Sequence, residues 1–185
     1  MFHVVDPGGE PKTSFGRPEL EEYDLESWLV APSRSEAFWT ASVWHYELYQ
    51  WASPDSMYRT VRRDAGWFPG GVWWTENLYE EDPPGPHLIH IWEDEAGLVW
   101  VYSGVADAAW EPNESRIPDP DWHRENFDVV VEVVDVAAEH VVASERLDYM
   151  VGPVCGSPLM YAVEWTELGN TRTRVLHPRL VGYRP

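Results

Sequence analysis

One hairpin returns three times along this chain, and that repetition limits its folding choices more than any single motif. An apolar strand enters a tight polar turn and an aromatic-rich strand leaves it: residues 28–33 then 37–42, 87–97 then 98–102, and 149–155 then 158–163. A unit this small cannot bury its apolar face alone, so the copies must stack on one another. A second hairpin type fills the intervals. Residues 2–5 turn through Asp6-Pro7-Gly8-Gly9 and return to Phe15; residues 46–51 turn and return over 57–62; residues 129–136 turn through Ala137-Ala138-Glu139 and return over 141–147. With the first type called a–b and the second c–d, the chain reads c–d, a–b–c–d, a–b–c–d, a–b, and a last c over residues 172–177.

Alternation with period two runs through these segments, as strands with two distinct faces require. Phe127, Val129, Val131 and Val133 fall on one face, and Asp128, Val130, Glu132 and Val134 on the other. Leu98, Trp100 and Tyr102 alternate in the same way with Val99 and Val101. Residues 19–28 have the spacing of a helical turn or two, and nothing longer reads as helix. A four-stranded antiparallel unit repeated in this order is the blade of a β-propeller. The expected fold is therefore all-β, a partial propeller of about three blades. A β-sandwich is the alternative, although it gives no reason for hairpin types to alternate. The expected divisions within one domain are the end of a blade over 1–16, a blade over 24–64, a blade over 85–148 with an insertion at 103–126, and an incomplete blade over 149–185.

Composition narrows the function classes. With 44% apolar residues, 12 Trp, 9 Tyr and 5 Phe, the 185-residue chain has ample material for a packed core. Its formal charge of −19 argues against gripping nucleic-acid phosphates, since the 13 Lys and Arg form no run. Acidity suits solubility, cations or basic partners. Cys155 is the only cysteine, which excludes an internal disulfide and leaves it as a small core residue. The first residues lack the basic start and apolar run of a signal peptide, and no stretch approaches the about 18 apolar residues of a membrane helix. A soluble chain of unassigned compartment is expected.

These segments resemble the late blades of bacterial six-bladed β-propeller proteins. The likeness rests on His3-Val4-Val5-Asp6-Pro7-Gly8-Gly9, Ala31-Pro32 followed by Phe38-Trp39, Asp64 with Trp67-Phe68, and the run from Glu93 through Asp94, Glu95, Ala96 and Gly97 to Val101. It continues through Ala106-Asp107 with Trp110, and Val131-Glu132-Val133-Val134-Asp135 ahead of the run from Val141 to Asp148. The resemblance covers most of the chain in order. It implies a binding scaffold and carries over no catalytic residue. About thirteen strands make little more than three blades, fewer than a closed ring holds. The expectation is a fragment of a six-bladed ring, a ring completed by a partner, or a self-associating half.

Up-and-down blades put the a–b and c–d turns at one end and the d–a and b–c connections at the other. The two long connections, 65–86 and 103–126, are both of the second kind. Loops on a rigid frame are where binding residues concentrate. The candidate ligand-binding residues are Trp67, Phe68, Trp73, Trp74, Trp110, Trp122 and His123, with Tyr79, Glu80, Glu81, Asp82, Asp119 and Asp121 beside them. Rings with carboxylates suit sugars, cationic groups or a protein partner; their bland alternative is to pin the loops to the core. No metal site and no cofactor are expected. Calcium is the one ion considered, through Asp119, Asp121 and His123, at a spacing that matches no EF-hand. His87 and His90, three apart on a strand, are expected on opposite faces; Glu93 and Glu95 are expected to flank a turn in solvent. The leading function is a non-enzymatic ligand- or protein-binding scaffold, and the alternative is a calcium-dependent propeller lactonase or hydrolase.

Overall fold

The computed structural model describes residues 2–5, 8–15, 27–34, 37–53, 56–69, 83–111, 126–154, 157–166 and 169–182. The chain is all-β. Its strands are β1 (Phe2–Val5), β2 (Pro11–Phe15), β3 (Trp28–Pro32), β4 (Phe38–Ser42), β5 (Glu47–Ser53), β6 (Ser56–Arg62), β7 (His87–Glu93), β8 (Leu98–Ala106), β9 (Phe127–Asp135), β10 (His140–Leu147), β11 (Gly152–Pro153), β12 (Met160–Trp165) and β13 (Thr171–Leu176). Neighbouring strands in the chain pair antiparallel, giving the hairpin β1–β2, the four-stranded sheets β3–β6 and β7–β10, and the three-stranded sheet β11–β13.

Local chemistry sets these hairpins. The Asp94 carboxylate accepts hydrogen bonds from the amides of Ala96 at 2.9 Å and Leu98 at 3.0 Å, while Gly97 takes φ +82°, a value that favours glycine. Asp94 also accepts the Trp100 indole N–H at 2.9 Å, so one residue closes the turn and fixes the ring that follows. Asp135 closes the β9–β10 turn through backbone amides, accepting from Ala137 and Ala138 at 3.0 Å each.

The middle sheet is buried on both faces. On β8, Val99 and Val101 join Leu88, Ile91, Val134 and Val136 in a core shared with Ala31, Trp39, Ala41, Tyr46 and Leu48 of the β3–β6 sheet. Leu98, Trp100 and Tyr102, with Val129, Val131 and Val133 of β9, meet Val151, Met160 and Ala162 on the other side. The alternation seen in the sequence thus separates two cores. Fully burying each such side chain is worth about 1.5–3 kcal/mol relative to exposure. The first strands of successive sheets approach one another, β3 against β7 and β11 against β7, whereas the last strands β6, β10 and β13 make no comparable approach among the described residues. Those last strands carry Arg59, Arg62, Arg146, Arg172 and Arg174, and charge on an edge strand discourages unwanted pairing.

Three boundaries depart from the sequence reading. β8 runs on to Ala106, because Ser103 through Ala106 stay paired with Val130 back to Phe127, so the connection begins at 107 rather than 103. The a strand of the third cassette shrinks to Gly152–Pro153, where proline lacks an amide donor and the Tyr161 ring lies across Gly152 in the space a Cβ would need. Trp28 belongs to β3; the rest of the helical turn expected over 19–28 falls outside the described residues, apart from Ser27. No described helix is long and apolar enough to cross a membrane.

Candidate functional site

Both long connections leave the stacked sheets at one end. His87 pairs with Gly104 and Phe127 with Ala106, which puts the start of β7, the end of β8 and the start of β9 together. The Leu88 amide donates to the Val43 carbonyl at 2.7 Å, and Arg62 pairs with Glu47, so the end of β4 and the end of β6 lie there too. Of the aromatic candidates at this end, Phe68 is 5% exposed and packs in the core, with Tyr46 at 5.5 Å and Trp67 at 5.7 Å between ring centroids. Half-buried Trp67 packs on the same core. The Ala65–Phe68 turn packs both rings against Tyr46, Phe68 buried and Trp67 with part of its surface open. Trp110 is half-buried and its amide donates to the Asp107 carbonyl at 3.1 Å. Trp73, Trp74, Tyr79, Glu80, Glu81, Asp82, Asp119, Asp121, Trp122 and His123 lie outside the described residues.

Behind that end, a polar tie that sequence reasoning missed crosses the first interface. Glu132, 2% exposed, accepts the Tyr46 hydroxyl at 2.9 Å and two Arg63 N–H groups at 3.3 Å each. Burial, then the nearby Glu132 charge, pushes the Tyr46 phenol well above its ordinary value, and the bond to Glu132 raises Arg63 further. Asp128, equally buried, accepts Arg146 Nε at 2.7 Å and the Ala108 amide at 3.2 Å, fixing the start of the 107–126 connection. Glu93 is not solvated as expected: it accepts the indole N–H of Trp39 from the neighbouring sheet at 2.6 Å. A carboxylate inside an alternating strand was the available signal, yet its partner lies 86 residues away for Tyr46 and 69 for Arg63.

The second interface is built differently. Between β8–β10 and β11–β13 lies a cavity of about 420 Å³, walled by Trp100, Tyr102, Val131, Val133, Met160 and Leu176 and flanked by residues 177–180. An adjoining groove of about 900 Å³ opens toward the a–b turns, past Arg34, Trp92, Glu93 and Glu95, with residues 177–180 again forming one side. Arg34 donates to the Glu95 carbonyl across this groove. Tyr102 is 1% exposed and its hydroxyl has no partner among the described residues; neither has Nε2 of His90, whose ring sits 5.7 Å from that of Tyr102. Burial raises the Tyr102 phenol and lowers the His90 imidazole, the latter opposed by the Ser157 main chain.

The histidine expectation is overturned by a bulge. Register slips between Leu88 and His90, so His87 faces Gly104 and His90 faces Tyr102, two residues that share one side of β8. The His87 ring lies over Gly104 against Phe127, at 5.1 Å between centroids. Among the described residues no three His, Cys, Asp or Glu side chains converge in a way that suits a metal ion, and the buried carboxylates Glu132 and Asp128 are each engaged by arginine.

No family model, curated protein or solved structure matches this chain.

Proposed function

We infer that the protein is a non-enzymatic binding scaffold whose sheets are propeller blades, as the likeness to bacterial six-bladed propellers implies. The observation that carries this reading is the joint departure of both long connections from one end of sheets whose first strands draw together. Successive four-stranded meanders, stacked face to face with inner strands close and outer strands apart, are how blades surround an axis. The connections 63–86 and 107–126 then form the ligand- or protein-binding end. Trp73, Trp74, Trp122 and His123 are its recognition residues, while Trp67 and Phe68 hold it in place. The outer face of the last sheet supports a scaffold that engages further sheets. Tyr161, Val163 and Val175 stand 40%, 38% and 62% exposed on one side of β12 and β13, opposite the packed Met160 and Ala162.

Light scattering on a size-exclusion column tests the assembly part of this reading. Mass above that of one chain, rising with concentration and falling in a Val175→Lys variant, is the expected outcome. A folded chain that stays monomeric at every concentration contradicts it. A calcium titration of thermal stability tests the binding-only part, since a rise of several degrees reversed by a chelator would favour the hydrolase reading.

A further inference from the structure

We propose that the cavity between β7–β10 and β11–β13 is a binding site for a medium-chain monocarboxylate, an unbranched hydrocarbon ending in one carboxylate. Its volume of about 420 Å³ falls in the usual range of small-molecule sites, about 300–1,000 Å³. The walls are those of a hydrocarbon site. Val131, Val133, Met160 and Leu176 supply aliphatic surface and Trp100 a flat ring, while strands from two different sheets keep the walls apart. Hydrocarbon transferred from water to such surfaces gains about 25 cal/mol for each Å² buried.

The charged end is set by the rim, where the polar side chains are Ser144, Glu145, Tyr149, His177 and Arg179. Arg62, Arg63, Arg146 and Arg174 each pair with a carboxylate of the chain. Exposed Arg179 makes no ion pair among the described residues, in a chain whose formal charge is −19. A free guanidinium beside an apolar chamber is matched by a carboxylate, which it can hold through two parallel N–H donors. Exposed Glu145 on the same rim opposes an anion, so the carboxylate sits on the Arg179 side. Tyr102 closes the inner wall with its ring. Its hydroxyl has no partner among the described residues and is not required by the ligand.

Calorimetric titration of the intact chain with decanoate and, separately, with 1-decanol tests the proposal. Decanoate is expected to saturate one site and to bind more tightly than the alcohol. Ala143→Trp, which adds a ring where half-buried Ala143 lines the chamber, is expected to weaken both ligands at least tenfold; if that variant does not fold by circular dichroism, Leu180→Trp serves instead. Arg179→Gln is expected to weaken decanoate several-fold and leave decanol unchanged, and Glu145→Gln to tighten decanoate only. Absence of saturable decanoate binding to the unmodified chain overturns the proposal. So does a folded filling variant that binds as before, or an Arg179→Gln change that affects acid and alcohol alike. None of these readouts depends on the loop end, so that reading and this one fail separately.

Discussion

The two faces of the middle sheet meet their neighbours in opposite ways. Toward β3–β6, a dense apolar core is stitched by directional bonds: Tyr46 and Arg63 to Glu132, and Trp39 to Glu93. Toward β11–β13, the contact is apolar, contains a cavity, and leaves the Tyr102 hydroxyl and His90 Nε2 without partners among the described residues. Paired across an interface, as Glu132 is with Tyr46 and Arg63, buried polar groups fix one arrangement. Unpaired ones cost stability, as Ser103 Oγ on the Val99 side of β8 also does among the described residues. The first interface is therefore a joint that sets the register of two sheets, and the second is a joint with room in it.

Substitutions can break or sharpen that contrast. The largest loss is expected for Trp39→Ala, which removes a ring 1% exposed together with its bond to Glu93; large-to-small changes of this kind cost about 3–5 kcal/mol in chemical denaturation. Glu132→Ala follows at about 2–3 kcal/mol, because it strands the Tyr46 hydroxyl while half-buried Arg63 can turn to water. The same conservative change then separates the interfaces by sign. Tyr46→Phe should cost about 1 kcal/mol, and Tyr102→Phe should be neutral or stabilising by a fraction of that, since it deletes a buried hydroxyl with nothing to bond. Equal losses from the two would erase the contrast.

Titration gives smaller effects. Both phenols are raised by burial, so each contributes stability that is complete below the ordinary tyrosine value of 10.0 and is lost as pH climbs through the folded value. Urea unfolding above pH 10 should show the loss, reduced in Tyr102→Phe. His90 is lowered, so its contribution is present above the ordinary imidazole value of 6.5 and fades as pH falls through the folded value. His90→Gln should flatten that acid limb relative to the unmodified chain, and an unchanged limb would remove His90 from the account.

The hairpins were legible because turn residues and two-residue alternation are local. Asp94 and Gly97 announced their turn, and the valines of β9 sorted correctly onto two cores. What failed was set by partners distant in the chain. The bulge before His90 carries it onto the side of His87, and no residue in that run signals an extra position. The third cassette looked like its predecessors, yet β11 keeps two residues because Pro153 cannot extend the ladder. At the candidate site, aromatic richness marked a connection but did not show that Trp67 and Phe68 pack against Tyr46. The cavity had no linear signature at all, since its walls come from several strands and the segment after β13.

The proposed blade-like arrangement of the sheets is tested most directly by distances between paramagnetic labels on first and last strands, in a chain with Cys155 replaced by Ser. Labels at Pro32 and Ala96 report the separation beside β3 and β7, and labels at Thr60 and Ser144 report that between β6 and β10. The account predicts a clearly shorter distance for the first pair, because β3 and β7 approach closely whereas β6 and β10 make no comparable approach among the described residues. Equal distances, as in two sheets packed flat about 10 Å apart, would contradict it.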